Sequence, residues 1–163
     1  MKKSLNGDHV SRALTLGVVA GLRSQMPMAA LALRRGNAPV SAGWREWPIL
    51  RSRPGRIALV AASAGETVGD KLPVTPSRLE PKALLGRIVF GGLAGAAIGS
   101  EVRGTQPVLA GILLGALGSV AGSFAGYHVR RKLGQWTGLP DPVVALGEDG
   151  IAIALAAHAT RLD

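Results

Sequence analysis

The sequence has no cysteine, few aromatic residues and little charge. The absence of cysteine excludes a disulfide scaffold, thiol catalysis and zinc held by cysteine ligands. Aromatic residues make up 4% of the 163 residues and charged residues 18%, whereas a soluble domain carries about 25% charged residues. Hydrophobic residues reach 47% and the mean hydropathy is +0.27. This composition excludes a disordered chain and argues against a soluble enzyme.

The net charge of +9 is distributed in a way that favours a membrane over a nucleic acid. Cations form short clusters between apolar segments, at residues 2–3, 34–35, 51–56 and 130–132. No aromatic residues alternate with these cations, as they do where a protein stacks bases. Charge that flanks apolar segments is typical of membrane proteins. We therefore expect a lipid bilayer as the partner and no nucleic acid.

The longest apolar segment runs from Gly104 to Val129 and contains no charged residue over 26 positions. A helix of that length exceeds the ~30 Å hydrocarbon core of a bilayer. Pro107 lies near its start, where a missing N–H costs little, and Arg130 to Lys132 follow its end. The segment predicts a membrane-spanning helix over about 107–129. The alternative is a buried core helix of a soluble protein.

A second apolar segment, about 83–102, precedes the segment 104–129 in the chain and shares its glycine spacing. Glycines recur at every fourth position in three runs, at residues 91, 95 and 99, then at 111 and 115, and then at 118, 122 and 126. This spacing places them on one helix face, where backbones can approach closely. We predict a tightly packed Gly-zipper helix pair. Arg87 lies near one end of the second segment and is expected to extend to the interface.

The first apolar segment, about 10–33, is interrupted by polar residues at 23–25 and by Pro27. An arginine within an apolar segment is costly in lipid unless it faces protein or water. We predict two half-helices that meet at a polar break around Arg23. Free N–H groups at the second half-helix would attract a carboxylate or phosphate. The alternative is a signal peptide, which the position of Arg23 before the cleavage-like Ala30-Leu-Ala32 argues against.

Two further segments, about 56–70 and about 142–160, complete a single domain that spans residues 1–163. The segment 56–70 reaches only ~22 Å as a helix, so it is either re-entrant or a short tilted crossing. If it is re-entrant, the chain crosses four times and one face carries 13 cations against five. Five full crossings give almost no bias. The positive-inside rule therefore favours four crossings, with the loops 34–56, 71–87 and 130–132 in the cytoplasm.

Acidic residues within these segments are the main candidates for a functional site. Glu66 and Asp70 are four residues apart and share one helix face. Lys71 and Arg78 follow in a proline-rich stretch. Carboxylates beside an unwound loop are ligands for a hard cation, which makes Glu66 and Asp70 the metal candidates. The alternative is a helix end at which Glu66 or Asp70 pairs with Lys71, Arg78 or Arg23.

A second acidic site is formed by Glu148 and Asp149, which lie between Gly147 and Gly150. Adjacent helical residues point about 100° apart, so both acids can face one ligand only if the helix loosens at the glycines. One hypothesis places these acids opposite Glu66 and Asp70 across a polar cavity. The other has one of them neutralise Arg23, because a buried charge requires a partner.

Other side chains provide weaker signals. Trp44 and Trp47 flank Arg45, which suits an anchor at the membrane interface. The three histidines have no spacing typical of metal ligands. Nucleophile elbows, phosphate-binding loops, zinc-protease motifs and dinucleotide fingerprints are absent from the sequence. We expect no enzyme activity and no cofactor apart from a bound cation.

Several motifs resemble those of small bacterial integral membrane proteins classed as a domain of unknown function. The motifs are Gly21-Leu-Arg-Ser24 with Pro27, Gly65-Glu66, Gly69-Asp70-Lys71-Leu-Pro73, Pro76-Ser-Arg78 with Pro81, and Glu148-Asp149. The resemblance implies a multi-pass protein of the inner, or plasma, membrane. A looser likeness is to cation/proton exchangers with a Glu-x-Gly-Asp-Lys signature. Here the spacing is one residue longer, which rotates Glu66 by about 100° relative to Asp70.

The sequence therefore predicts an all-α, polytopic transmembrane bundle of four to five segments, with a broken first helix and a short or re-entrant acidic helix. Its function is predicted to be transport of an ion, either a divalent cation or one coupled to protons, or of a small polar solute. The cavity would be lined by Arg23, Glu66, Asp70, Glu148 and Asp149. The alternatives are a non-transporting membrane protein that binds lipid or a partner, and an enzyme on lipid phosphate that uses Arg23, Lys71 and Arg78. A homodimer is expected because so few helices barely enclose a pathway.

Overall fold

The computed structural model describes residues 4–38, 41–69, 79–138 and 140–161, and all of their regular elements are helical. The helices are α1 (Gly7–Leu22), α2 (Met26–Arg34), α3 (Pro48–Arg51), α4 (Arg53–Gly69), α5 (Pro81–Gly99), α6 (Thr105–Thr137) and α7 (Asp141–Ala159). Short 3₁₀ turns occur at Arg35–Asn37 and Gly43–Glu46. The all-α class expected from the sequence is confirmed for these residues.

Three helices of the described chain, α5, α6 and α7, are long and apolar enough to cross a bilayer. The longest of them, α6, has 33 residues and extends eight residues past the predicted end at 129. It ends where Gly138 adopts a left-handed conformation with φ of 63° and donates its N–H to the carbonyl oxygen of Gly134. Glycine is the residue that tolerates this helix-ending geometry best.

Helix starts follow the local sequence closely. The side chain of Asn6 accepts a hydrogen bond of 2.9 Å from the backbone N–H of His9 and thereby caps α1. Pro81 and Pro142 lie in the first turns of α5 and α7, and Pro27 lies in the first turn of α2. Proline suits these positions because its missing N–H would have no helical partner there.

The core of the bundle is built from α1, α5 and α6, which approach each other at glycines. A Cβ atom added to Gly95 would overlap the carbonyl oxygen of Gly111, and one added to Gly115 would overlap that of Gly91. Further along the same face of α6, a Cβ on Gly118 or Gly122 would overlap carbonyl oxygens of α1. Helices packed this closely gain dispersion contacts along their whole length.

Contacts between the helix termini define the two opposite ends of the bundle. At the first, which we call the Arg12 end, the side chain of Arg12 bonds both to Glu101 after α5 and to the carbonyl oxygen of Ala159 at the end of α7. At the second, the Arg130 end, Arg130 near the end of α6 bonds to Asp141 at the start of α7. Helices α1 and α6 therefore run from the Arg12 end, and α5 and α7 run towards it.

Helix α2 turns back towards the Arg12 end instead of continuing the direction of α1. Its residues Met28 and Leu31 join a hydrophobic cluster with Ala13 of α1 and Ile98 of α5. Beyond α2, the backbone N–H of Gly43 donates to the carbonyl oxygen of Ser100 at 3.1 Å. The segment 10–33 therefore enters and leaves by the same end. The sequence-based count, which treated it as one crossing, needs correction on this point.

The loop that contains Trp44 also differs from expectation. Four crossings would separate the loop 34–56 from Arg12, but the structure places both at the Arg12 end. Trp44 is only 1% exposed and donates its Nε1–H to Glu101 at 3.1 Å. Its indole therefore packs inside the bundle, and the expected interface anchor is wrong for this residue. The loop folds inward because its backbone bonds to Ser100.

Candidate functional site

The break between α1 and α2 is short and polar. Arg23 has an extended backbone, with φ of −140° and ψ of 105°, which ends α1 after Leu22. Ser24 and Gln25 follow, and α2 begins at Met26. Such a break exposes carbonyl oxygens at the end of one helix and N–H groups at the start of the next, and both sets need partners in an apolar environment.

The N–H groups at the start of α2 are bound by the carboxylate of Glu66. Its Oε1 accepts from the backbone N–H of Ser24 at 2.8 Å and from the Ser24 hydroxyl at 2.7 Å. Its Oε2 accepts from the backbone N–H of Gln25 at 2.9 Å. The anion expected at this helix terminus is thus a side chain from α4 of the same chain. A carboxylate is favoured there by both the free donors and the helix dipole.

The carbonyl oxygens at the end of α1 are bound by Arg87. Its Nη1 donates to the oxygens of Gly21 at 2.8 Å and Leu22 at 2.9 Å. Its Nη2 lies 3.9 Å from Oε1 of Glu66. The residue is 7% exposed, so the expected extension to the interface does not occur. Arg87 caps one half-helix while Glu66 caps the other, and the two caps attract each other.

Arg23 itself is fully buried and pairs with α7. Its Nε donates to Oδ1 of Asp149 at 2.5 Å, and the two side chains are 1% and 8% exposed. This contact joins residues 126 positions apart. The pairing satisfies the requirement that a charge removed from water must find an opposite charge with good geometry. We call Arg23, Glu66, Arg87 and Asp149 the break network.

The break lies near the middle of the uncharged stretch of α6. The hydroxyl of Ser123 donates to the carbonyl oxygen of Gly21 at 3.3 Å, and a Cβ on Gly21 would overlap the backbone of Ser119. Ser119 is about 22 Å along the helix from Gly104 and about 16 Å from Arg130. The four charges therefore meet beside the uncharged stretch of α6.

Glu148 does not join the break network. Its Oε2 lies 3.7 Å from Nη1 of Arg130, on a different face of α7 from the Arg23 pair. Helix α7 continues unbroken from Asp141 to Ala159, so the loosening expected at Gly147 and Gly150 does not occur. The two adjacent acids keep the ~100° separation of a regular helix and face different partners.

A second buried cluster lies at the Arg12 end, and the sequence analysis missed it. Arg12 forms a two-pronged pair with Glu101, at 2.7 and 3.0 Å, and its Nε donates to the carbonyl oxygen of Ala159 at 2.9 Å. Glu101 also accepts from Trp44. The sequence contained one indication that Arg12 is buried, because Arg12 and Arg23 are 11 residues apart and so share a helix face. A similar indication existed for Arg87 of the break network, which the glycine spacing places on the packed face of α5.

Comparison with known proteins identifies the family of the chain. A family model described as a domain of unknown function (DUF4126) matches residues 10–162. The chain belongs to this family. The resemblance inferred from the sequence motifs is thus confirmed at the level of the family. Neither the curated proteins nor the solved structures gave a match.

For this DUF4126 protein, the structure brings together three of the predicted site residues, Arg23, Glu66 and Asp149. Glu148 lies apart from them, and Asp70, Lys71 and Arg78 lie outside the described residues. Within the described ranges, no group of three or more His, Asp or Glu side chains is arranged to hold a metal ion. Both oxygens of Glu66 are bound by donors of the helix break. Among the described residues, the site is thus a charge-balanced set of two guanidinium and two carboxylate groups.

Proposed function

We propose that this protein is a multi-pass membrane transporter that moves a proton, or an ion coupled to a proton, through the break network. The proposal depends on one observation. Two guanidinium and two carboxylate groups, from the end of α1 and from α4, α5 and α7, meet at a helix break beside the uncharged stretch of α6. Ionisable groups at such a depth are expensive, and they mark ion pathways and proton relays.

The surface of the helices supports a lipid environment. Leu109, Leu113 and Leu117 form a row on α6 in which each side chain is more than half exposed. Leu85, Val89 and Leu93 form a similar row on α5. In water, apolar rows of this length would promote association or aggregation, whereas in a bilayer they face acyl chains.

Broken helices are the elements from which many transporters build their binding sites. In this chain, side chains of the protein itself occupy both half-helix ends. Glu66 takes the place that an anionic group would take at α2, and Arg87 takes the place of a cation at α1. A proton is the cargo that such a site handles with least rearrangement, because it binds to a carboxylate already present. Binding of a proton to Glu66 or Asp149 would weaken its contact with the facing arginine.

The transport hypothesis is tested in liposomes that contain the purified protein and a pH-sensitive dye. An imposed pH gradient, with a potassium diffusion potential to compensate charge, drives proton flux. We expect Glu66→Gln and Asp149→Asn each to reduce the flux by about tenfold or more, which corresponds to ~1.4 kcal/mol in a barrier. Glu46→Gln is the matched control, because Glu46 is an exposed acid remote from the break. Equal flux in all four proteins would contradict the proposal.

A second candidate function, a non-transporting membrane protein, is favoured by the pairing itself. Asp149 is bound by Arg23, and Glu66 is bound by the break and lies near Arg87. The double variant Arg23→Gln/Asp149→Asn separates the two functions, because it removes both charges and keeps a polar side chain at each position. If the network serves stability alone, this variant folds and behaves like wild type. If the network carries protons, it folds but its flux is lost.

The distribution of positive charge indicates an orientation for the inner membrane. Nine described lysine or arginine residues lie at the Arg12 end and four at the Arg130 end. The positive-inside rule therefore favours an Arg12 end in the cytoplasm. Because the chain has no cysteine, single cysteines introduced at Ser41 and Gln135 can be labelled without background. A membrane-impermeant maleimide applied to intact cells should label the second and spare the first, and the reverse pattern would invert the orientation.

A further inference from the structure

A groove of about 440 Å³ lies along the outer side of the bundle, between α7 and the packed pair of α1 and α6. Its walls are almost entirely apolar, and the side chains of Val18, Leu22, Val129 and Ile151 contribute to them. Among the described residues, Arg130 and Glu148 are the charged ones that line it. This volume lies within the range of about 300–1,000 Å³ that is usual for small-molecule sites.

The groove exists because α7 packs on α1 and only lightly on α6. Ala152 and Ala156 of α7 join a buried cluster with Val19 and Leu22 of α1, which draws α7 away from α6. A glycine on the α7 wall also leaves open space in the groove. A Cβ atom added to Gly147, on the α7 wall, would meet nothing within 4 Å.

The polar end of the groove contains both signs of charge. Arg130 bonds to Asp141 at 2.8 Å and lies 3.7 Å from Glu148. The side chain of Asp141 is 69% exposed, whereas those of Arg130 and Glu148 are mostly covered. A ligand head placed here would therefore meet a guanidinium beside two carboxylates.

The direction of the groove matches that of a membrane lipid. Arg130 is the first charged residue after the uncharged stretch of α6, so it marks the level of the lipid headgroups. From there the groove extends along α6 past Val129 as far as Gly122, about 12 Å deeper along the helix axis. A headgroup at Arg130 would thus have its acyl chain directed towards the middle of the bilayer.

We propose that this groove binds a zwitterionic phospholipid with a primary ammonium group, of the phosphatidylethanolamine type. One acyl chain lies along the apolar walls. The phosphate binds Arg130, and the ammonium group binds Glu148 and Asp141. The mixed charge of the mouth favours this headgroup over a purely anionic one, which the two carboxylates would repel. The proposal does not depend on proton movement through the break network.

The experiment measures lipid retention by native mass spectrometry, with detergent-purified protein that is exchanged against lipids of identical acyl chains. Phosphatidylethanolamine, phosphatidylglycerol and phosphatidylcholine are the three probes. We expect phosphatidylethanolamine to be retained about tenfold more than the other two, a difference of one decade in affinity. Equal retention of all three would overturn the proposal, because it would mean that bulk lipid merely covers an apolar surface.

Two substitutions with matched controls locate the site. Gly147→Leu fills the groove from the α7 wall, whereas Gly150→Leu, also with nothing within 4 Å of its Cβ, adds the same side chain outside the groove. Arg130→Gln removes the phosphate partner, and Arg131→Gln alters an exposed neighbour that does not line the groove. We expect the first member of each pair to lose phosphatidylethanolamine about tenfold and the second to retain it.

The thermal midpoint of each variant verifies that Gly147→Leu remains folded, as the open space around Gly147 predicts. Retention that is unchanged in both Gly147→Leu and Arg130→Gln would overturn the proposal. A second copy of the chain is the competing occupant of the groove. It would appear as a dimer peak that Gly147→Leu abolishes while lipid retention stays constant, and that outcome would also overturn the lipid assignment.

Discussion

Glu148 and Asp149 are adjacent in α7, yet their carboxylates pair with arginines of different helices. Asp149 binds Arg23 of the helix break at 2.5 Å, and Glu148 lies 3.7 Å from Arg130 of α6. One regular helix therefore connects the buried break network to the charged mouth of the groove. The two acids differ in what they neutralise, so they should differ in what their loss costs.

Loss of one partner of the Arg23–Asp149 pair should destabilise the protein strongly. Asp149→Asn or Arg23→Gln leaves an uncompensated buried charge, which costs about 3–5 kcal/mol. The double variant should recover most of this loss, because it removes both charges. Thermal unfolding in detergent, followed by circular dichroism, measures the effect. Glu148→Gln should cost less than about 1 kcal/mol, because Arg130 keeps Asp141. Equal losses for Asp149→Asn and Glu148→Gln would contradict this assignment.

A methyl group at the closest helix contact should destabilise the bundle. Gly111→Ala places a Cβ against the carbonyl oxygen of Gly95, so α5 and α6 must separate. Overpacking of this kind costs about 1–3 kcal/mol. The matched control is Gly86→Ala on α5, where a Cβ meets nothing within 4 Å. That control should be neutral or stabilise the helix by about 0.5–1 kcal/mol, as measured by the shift in thermal midpoint. A Gly111→Ala variant as stable as the control would refute the close contact.

Removal of the cap on α2 should loosen the break. Glu66→Ala deletes the acceptor for three donors of Ser24 and Gln25, and we expect a loss of about 2 kcal/mol. Glu80→Ala is the control, because Glu80 precedes α5 without a capping bond from its side chain. Hydrogen exchange of the amides of Ser24 and Gln25, read by mass spectrometry, should accelerate only in the first variant. Unchanged protection there would show that Glu66 does not cap α2.

Tryptophan fluorescence should distinguish the buried Trp44 at the Arg12 end from the exposed Trp136 on α6. Trp44 is buried and bonded to Glu101, whereas Trp136 on α6 is 79% exposed. Trp44→Phe removes the Nε1 donor and should cost about 1 kcal/mol in unfolding free energy. It should also remove the emission that is shielded from acrylamide. Trp136→Phe should leave stability unchanged and remove quenchable emission. If the two variants exchanged these quenching patterns, the placement of Trp44 would be incorrect.

Local features of the sequence predicted the helices well. The 26 uncharged residues of 104–129 and the proline positions at 27, 81 and 142 determine where α2, α5, α6 and α7 lie. The reason is that helix length, first-turn proline and apolar runs depend on neighbours in the chain. The polar break near Arg23 was also visible, because an arginine within an apolar segment requires a partner.

Pairings between distant residues could not be predicted in the same way. The reversal of α2 depends on the contact of Gly43 with Ser100, and Arg12 meets Glu101 across 89 residues. Composition does not specify which acid pairs with which arginine, since any acid at a helix end is an equal candidate. Arg87 shows the limit most clearly. It was expected to extend to the interface, although it lies four residues before Gly91 and so shares the packed face, and only the structure supplied the open carbonyl groups of α1 as its partners.

The length of α6 has a practical consequence. Its 33 residues span about 50 Å, against ~30 Å for a hydrocarbon core, and residues 131–136 are exposed or half-buried. In a bilayer of this thickness, more than one helical turn would thus extend beyond the surface as a rigid helix. A rigid helical scaffold protein spliced in register after Gln135 would give this small particle a recognisable landmark for single-particle imaging.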